Sequence, residues 1–200
     1  PLPDGRVMFV VGDVTDKGIP AALVMASTHA LLRDAAPRLI SPGRILGHVN
    51  DMLCVDIPAH MFVTCLVMAL EPTTGHVVFA NAGHNLPFVR TGDEITELRA
   101  TGMPLGLMPG IKYEEIEGVI APDSNVLLYS DGLIEAHDGK REMFGFGRLR
   151  EALRVDDPRR RNEVVHREPF GQHVRDLRGT AATVHPDDGD HRRPALGQGV

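Results

Sequence analysis

Two aspartates in this 200-residue chain each follow a run of apolar residues and stand beside a glycine. Asp13 lies in the segment Val10–Val14, directly after Gly12, and Asp131 lies between Leu127–Ser130 and a second glycine. A buried strand holds a carboxylate in a fixed place, and hard divalent cations prefer such oxygen ligands. The two aspartates therefore fit a shared metal site. From spacing alone the simpler interpretation is that each one caps a turn, so the pair is a weak signal by itself.

The segments around Asp13 predict a strand followed by two helices. Residues 6–14 are rich in β-branched side chains and end in Gly-Asp, which indicates a buried strand. A helix is expected over 19–37, with Pro20 in its first turn. Its apolar stripe is expected to contain four residues: Leu23, Ala26, Ala30 and Leu31. Ser41 and Pro42 mark the start of a second helix.

The pattern after residue 60 changes to short strands separated by turn residues. Strands are predicted at 61–71, 76–83, 86–90, 94–100, 112–120 and 125–132, and helical character at 146–153. A strand, two helices and then a run of strands is typical of an α+β fold with helices packed on antiparallel sheet.

Charge and hydropathy narrow the classes of function. With 21 Lys and Arg against 27 Asp and Glu, the net charge of −6 gives no basic footprint for nucleic acid or an acidic membrane. The apolar stretch at 61–70 is about half of the ~20 residues that a membrane span needs. The first residues do not resemble a signal peptide, so a cytoplasmic location is expected. Cys54 and Cys65 lack metal-ligand spacing and are expected to be buried free thiols.

Four segments in a fixed order carry a resemblance to a known family. GDVTDKGIPAALVMA, NAGHNLPFV, GMPLGLMPG and LLYSDGLIEAHDGKREMFGFGRL closely resemble the SpoIIE/RsbU branch of the PPM family, the metal-dependent phosphatases of the protein phosphatase 2C type. Four ordered motifs are more specific than any one of them. The resemblance covers roughly residues 5–153.

The resemblance implies a fold and a metal site. The implied fold is an α-β-β-α sandwich, two antiparallel sheets flanked by helices, with two Mn²⁺ or Mg²⁺ ions at one end. Asp13 matches the carboxylate that bridges the ions, the carbonyl of Val14 matches a main-chain ligand, and Asp131 matches a ligand of the other ion. The implied reaction is attack on phosphorus by a water that the ions acidify.

His84 is a further candidate catalytic residue, as an acid to the leaving oxygen or as a contact to phosphate. A histidine and an asparagine in a loop more often satisfy backbone groups of a tight turn, and both alternatives stay open for His84 and Asn81. Asp16 could fix a water beside the metals or cap the helix that starts near Ile19. Lys17 could attract phosphate or be a solvated loop residue.

Both ends of the chain depart from the family pattern. The family's Gly-Gly-Asp-Phe-type segment does not precede Asp13, and no closing Asp-Asp-Ile/Val-Thr strand is evident after Leu153. We therefore expect a partial domain over 1–154 and an incomplete sandwich. Residues 155–200 are mostly Arg, His, Pro, Gly and Asp, so a low-order tail is expected, and a frameshift near 155–160 would explain it. The pair Asp187-Asp188 is a poor substitute for the closing strand.

The resemblance implies a protein serine/threonine phosphatase in bacterial signalling. Its substrate would be a phosphorylated anti-anti-sigma-type protein in a partner-switching pathway. A sensor domain upstream in the parent protein and a second copy of the chain are further candidate partners. The alternative is a catalytically impaired module that keeps the fold for docking, and a third, weaker interpretation is a hydrolase of small phosphate esters.

Overall fold

The computed structural model describes residues 1–154 and the backbone of residues 181–183. The strands are β1 (Val7–Val14), β2 (Val63–Leu70), β3 (His76–Ala82), β4 (Phe88–Thr91), β5 (Glu94–Glu97), β6 (Ile116–Val119), β7 (Asn125–Leu127) and β8 (Ala181–Thr183). The helices are α1 (Ile19–Leu39), α2 (Pro42–Asp56), α3 (Asp131–Ile134) and α4 (Gly145–Arg154). The predicted order of strand, two helices and strands is confirmed.

The strands form two four-stranded antiparallel sheets. The first sheet has the order β1-β2-β3-β6 and the second has the order β5-β4-β7-β8. In the first sheet Asp13 lies opposite Thr64, and Leu66 lies opposite Asn81. Strand ends therefore lie side by side at one end of that sheet: the end of β1, the start of β2 and the end of β3.

Three clusters of buried side chains show that the sheets and helices form four layers. Alternate residues of β2 and β3 face opposite ways, as the two-residue period of a strand requires. One set, which includes Leu66 and Phe79, packs with Val126 of β7 between the two sheets. The other set, which includes Val67, packs against α1 and α2, while α4 covers the outer face of the second sheet through Leu149. The predicted α-β-β-α sandwich is confirmed.

Helix α1 buries a different face from the one its sequence predicted. The residues on its buried face are Ala21, Val24, Thr28, Leu32 and Ala35. Leu23 is 64% exposed, and Ala26 and Ala30 are exposed as well, whereas Leu31 is half-buried against the core. Because alanine occurs on both sides of this helix, hydrophobicity alone does not fix its rotation; contact with α2 and the first sheet does.

Side chains hold helix α2 at its start and near its middle. Ser41 Oγ accepts a hydrogen bond from the Arg44 amide at 3.3 Å, which confirms the predicted start of this helix. Near the middle, Asn50 is fully buried and donates to the carbonyl of Met108 at 2.8 Å, while its Oδ1 accepts from the Gly106 amide at 3.0 Å. These bonds fix the GMPLGLMPG segment as a loop packed against the helix.

The tail contains one element that the sequence did not predict. Backbone pairing of Leu127 with Ala181 and of Asn125 with Thr183 places β8 beside β7 as a closing strand of the second sheet. The sequence shows no closing Asp-Asp-Ile/Val-Thr strand after Leu153, and the strand at Ala181–Thr183 has a different sequence that the pattern did not predict. A segment of three residues is too short for a strand period to be recognised in the sequence. The strand forms because these residues pair with β7, the edge of an existing sheet. Asp187-Asp188 lie outside the described residues.

The described residues also test the expectations about membrane spans and cysteines. Within residues 1–154 and 181–183, no helix has both the length and the apolar character needed to cross a bilayer. Cys54 and Cys65 are both free thiols, as predicted; Cys65 is buried, whereas Cys54 is only half-buried.

Candidate metal centre

The two aspartates come from different sheets and meet at one end of the sandwich. Asp13 is the next-to-last residue of β1, where pairing with Thr64 fixes the backbone. Asp131 is the first residue of α3, four residues after the end of β7, and Ser130 occupies the N-cap position. The two carboxyl groups hydrogen-bond to each other. The predicted convergence of these side chains is therefore present in the structure.

Electrostatics at Asp13 are unfavourable for a charged carboxylate. Burial raises the pKa of the Asp13 carboxyl most, and the hydrogen bond and negative charge of Asp131 raise it further, with a smaller contribution from Glu135. One contact acts in the opposite direction, because the Val14 amide donates to Asp13 Oδ1 at 2.9 Å. Two acidic side chains side by side repel each other unless a proton or a cation lies between them.

This donor set fits a divalent cation in part. Carboxylate oxygens are the ligands that Mg²⁺ and Mn²⁺ prefer, and a bound cation would relieve the repulsion between Asp13 and Asp131. Among the residues that the structure describes, however, no group of three or more His, Cys, Asp or Glu side chains could hold a metal ion. The described side chains thus supply two carboxylates toward a shared ion and not a complete set for two ions.

The glycines beside the aspartates have different roles. A Cβ at Gly12 would lie 2.8 Å from the carbonyl oxygen of Thr64, so β2 itself requires glycine at this position. At Gly132 the nearest atom to such a Cβ is Ser130 Oγ at 3.7 Å, which leaves room for a side chain. Packing therefore requires glycine at position 12 but not at position 132, and the atom that comes close to Gly12 belongs to the neighbouring strand β2.

His84 is buried between the two sheets, with 5% of its surface exposed. Its Nε2 lies 3.0 Å from the carbonyl oxygen of Tyr129, and its Nδ1 lies 2.9 Å from Thr64 Oγ1. Burial lowers the pKa of the imidazole. Because a carbonyl only accepts hydrogen bonds, Nε2 carries the proton of the neutral ring and Nδ1 accepts from Thr64. Both ring nitrogens are thus engaged by the protein.

Asn81 builds the turn that presents His84. Its Oδ1 accepts from the His84 amide at 2.8 Å, and its Nδ2 donates to the His84 carbonyl at 2.9 Å and to the Ala100 carbonyl at 3.1 Å. Gly83 has a φ of 72°, and a Cβ there would lie 2.8 Å from Pro104 Cγ. The Asn-Ala-Gly-His segment is therefore a closed turn whose asparagine satisfies backbone groups, the simpler of the two alternatives for Asn81.

Tyr129 is anchored independently of His84. Its ring stacks on Phe88 with centroids 5.7 Å apart. Burial raises the pKa of the Tyr129 hydroxyl. Tyr129 lies two residues before Asp131, so its position constrains that carboxylate.

Sequence reasoning missed Thr64, Tyr129 and Glu135. Thr64 and Tyr129 become relevant only through strand pairing and sheet packing, for which the sequence carries no local signal. Glu135 does carry one, since it lies four residues after Asp131 and the two share one face of a helix.

The loop after β1 contributes less than the sequence suggested. Asp16 has a φ of 69° and its Oδ2 lies 3.6 Å from His60 Nε2, while the N-cap of α1 is Gly18. Asp16 therefore does not cap the helix. Lys17 is exposed, in agreement with the solvated alternative.

Comparison with known proteins gives a family match over most of the chain. The model of the stage II sporulation protein E (SpoIIE) family matches residues 3–183, which includes β8. The chain is 27% identical over 131 residues to the phosphoserine phosphatase RsbU of Bacillus subtilis, covering 64% of this chain and 39% of that protein. It is 26% identical over 180 residues to protein IcfG of Synechocystis, covering 76% of this chain and 28% of that protein. The chain thus spans well under half the length of these relatives.

Solved structures agree on the fold. The SiaA-PP2C domain of Pseudomonas aeruginosa matches with a TM-score of 0.71 at 19% identity, covering 88% of this chain and 73% of that one. The RsbU and RsbW domains of Rv1364c from Mycobacterium tuberculosis match with a TM-score of 0.59 at 29% identity, covering 68% of this chain and 38% of that one. With nearly the whole described sandwich matched by the family model, the chain belongs to the SpoIIE family.

Proposed function

We propose that this chain is the catalytic domain of a metal-dependent phosphatase that hydrolyses phosphoserine or phosphothreonine on a signalling protein in the cytoplasm. The observation that carries the proposal is the meeting of Asp13 and Asp131 at one end of the sandwich. They are brought together from separate sheets, although each charge raises the free energy of the other. A protein keeps such a pair at a functional site more readily than at a structural one.

Asp13, Asp131 and the main-chain carbonyl of Val14 would hold Mn²⁺ or Mg²⁺, two ions in a complete site. Bound there, the cations would supply an acidified water and neutralise charge on the phosphoryl oxygens. The chain's own part is positional: β1 pairing fixes Asp13, and the anchored Tyr129 segment fixes Asp131. The described part of this site offers no cysteine as a nucleophile, since the Cys65 thiol is 1% exposed and burial raises its pKa to about 12.

The relatives favour a phosphoprotein substrate. Two of them are named phosphoserine phosphatases, RsbU and RsbP of Bacillus subtilis, and RsbX, which matches in fold with a TM-score of 0.61, was solved in complex with magnesium. By this relationship the substrate class is a phosphorylated anti-anti-sigma-type protein of a partner-switching pathway. A sensor domain elsewhere in the parent protein and a second copy of this chain remain proposed partners.

One observation favours a second function. The described residues gather only two carboxylates at the site and no group of three ligands. A sandwich of this kind with weak metal affinity would act as a docking module that binds a phosphoprotein without hydrolysing it.

Metal titration separates the two functions. The full chain is mixed with a phosphoserine protein or p-nitrophenyl phosphate while Mn²⁺ is raised to millimolar concentration, and released phosphate is measured. A phosphatase gives saturable turnover that Asp131→Asn abolishes. Turnover indistinguishable from the Asp131→Asn variant at every Mn²⁺ concentration would instead support the docking module.

A further inference from the structure

We infer that His84 is a positioning residue that ties together the two segments carrying Asp13 and Asp131, and that it is not the acid of the reaction. This inference rests on the proposed function for the importance of the two aspartates. The tie itself rests on the hydrogen bonds that the imidazole makes.

The imidazole bridges the two sheets. On one side the hydroxyl of Thr64 donates its only proton to Nδ1 across 2.9 Å, and the backbone of Thr64 pairs with that of Asp13 in the β1-β2 register. On the other side Nε2 donates to the Tyr129 carbonyl at 3.0 Å, two residues before Asp131. The imidazole therefore joins the strand residue opposite Asp13 to the segment that leads to Asp131.

The imidazole bridge is a polar connection between the sheets beside the direct interaction of Asp131 with Asp13. The two sheets otherwise meet through apolar side chains such as Phe79, Val89 and Val126, which resist sliding less specifically than hydrogen bonds do. With a side-chain exposure of only 5% and both ring nitrogens occupied, His84 is poorly placed to reach a substrate oxygen. An acid needs a nitrogen within hydrogen-bond reach of the leaving group.

Neighbouring side chains also hold His84 itself in place. Asn81 makes two hydrogen bonds to the backbone of His84. The ring of Tyr129 stacks on Phe88 while its carbonyl accepts from His84, so Tyr129 is held at both its side chain and its backbone. Such preorganisation is what a pair of mutually repelling carboxylates requires.

The test compares variants that keep or remove each half of the bridge. His84→Gln retains an amide N–H near the position of Nε2, and His84→Leu removes both contacts. Thr64→Ser retains the hydroxyl and Thr64→Val removes it with little change of shape. His76→Leu is the matched control, because His76 lies at the opposite end of β3.

The first measurement uses the metal-free full chain. The amides of Leu133 and Glu135 donate to the carbonyls of Ser130 and Asp131, so their hydrogen exchange reports on the helical turn that begins at Asp131. We expect His84→Leu to speed exchange about tenfold, the factor that one lost hydrogen bond of ordinary strength provides. His84→Gln and His76→Leu should leave exchange near the wild-type rate. Unchanged exchange in His84→Leu would overturn the inference, whether or not the protein binds metal.

The second measurement is Mn²⁺ affinity, followed by the loss of the free-ion electron paramagnetic resonance signal. His84→Leu and Thr64→Val should weaken binding about 10–100-fold, the usual effect of removing a group that orients a ligand. Thr64→Ser and His84→Gln should bind nearly as the wild type does. If the wild type binds no Mn²⁺, the proposed function fails while the exchange data still decide the bridge. If His84→Leu does not fold, the two Thr64 variants decide it by both measurements.

The third measurement tells a positioning residue from an acid. A lost acid slows release of a poor leaving group, serine, far more than that of a good one, p-nitrophenol. We expect His84→Gln to hydrolyse both substrates nearly as the wild type does. A His84→Gln variant with normal Mn²⁺ affinity that loses activity on phosphoserine alone would show that His84 is the acid and would overturn the inference.

Discussion

The carboxyl groups of Asp13 and Asp131 hydrogen-bond to each other, although one belongs to the first sheet and the other follows a strand of the second. The negative neighbours that act on Asp13 are Asp131 and Glu135. Repulsion among these carboxylates destabilises the metal-free protein, and a bound cation would relieve it. The first three predictions follow from this repulsion.

Metal removal should stop phosphate release. Carboxylate and carbonyl oxygens hold Mn²⁺ and Mg²⁺ reversibly, so excess EDTA should bring turnover to background and added Mn²⁺ should restore it. The measurement is release of phosphate from a phosphoserine protein. Undiminished turnover in EDTA would rule out the metal-dependent reaction.

Asp13→Asn and Asp131→Asn should each lower kcat/KM by about 10²–10³-fold, the range for loss of one preorganised electrostatic group. Asp16→Asn is the matched control, because Asp16 is exposed, lies in the loop that follows β1 and pairs with His60. A small and equal effect at all three positions would contradict the assignment of the site.

Asp13→Asn should also stabilise the metal-free protein, with a gain that grows as pH rises. The pKa of Asp13 is raised in the folded state, so the native protein binds this proton more tightly than the unfolded chain does. Its stabilising contribution is complete below the unfolded-state pKa of about 3.9 and is lost as pH rises through the raised folded-state value. Thermal midpoints in EDTA between pH 5 and pH 8 measure the difference from wild type.

Asp4→Asn is the control for sign. Its hydrogen bond to Arg6 lowers the pKa of the Asp4 carboxyl, so any effect of this exposed pair on stability runs in the opposite direction with pH. A midpoint difference for Asp13→Asn that shrinks toward pH 8 would contradict the electrostatic interpretation.

Asn50→Ala should destabilise the domain more than any surface change on the same helix. The substitution leaves the Gly106 amide and the Met108 carbonyl without their partner, at a cost of about 1–3 kcal/mol. A domain of this size then melts roughly 2–10 °C lower. Asp56→Ala, at the exposed end of α2, should change the midpoint by about 1 °C or less. Equal midpoints for the two variants would show that the loop is not held by Asn50.

The pairing of β8 with β7 predicts a sharp boundary in the tail. A chain ending at residue 185 retains Ala181–Thr183, whereas a chain ending at residue 180 leaves β7 as an open edge. Open edges pair with other chains, so the shorter protein should aggregate more on heating and melt at a lower temperature. Light scattering and calorimetry on the two proteins measure this, and identical behaviour would show that the pairing adds nothing to stability.

Local patterns in the sequence determined most of the elements and the candidate ligands. Strands at 7–14 and 63–70 follow from runs of β-branched and other apolar residues, and α2 follows from Ser41, Pro42 and an apolar stripe. Asp13 and Asp131 stood out because each follows a strand and belongs to a recognisable motif. Signals of this kind are contained in a few neighbouring residues, so no knowledge of packing is needed to detect them.

Tertiary structure alone decided the rotation of α1, the partners of His84 and the strand at 181–183. The rotation of α1 depends on which side of an alanine-rich helix faces the sheet. The strand at 181–183 depends on the free edge of β7, with which these three residues pair. His84 is the clearest case, since Thr64 and the Tyr129 carbonyl reach its two nitrogens from different sheets. Whether a histidine donates a proton to a substrate or ties two strands together depends on which groups surround it, and residues distant in sequence supply those groups.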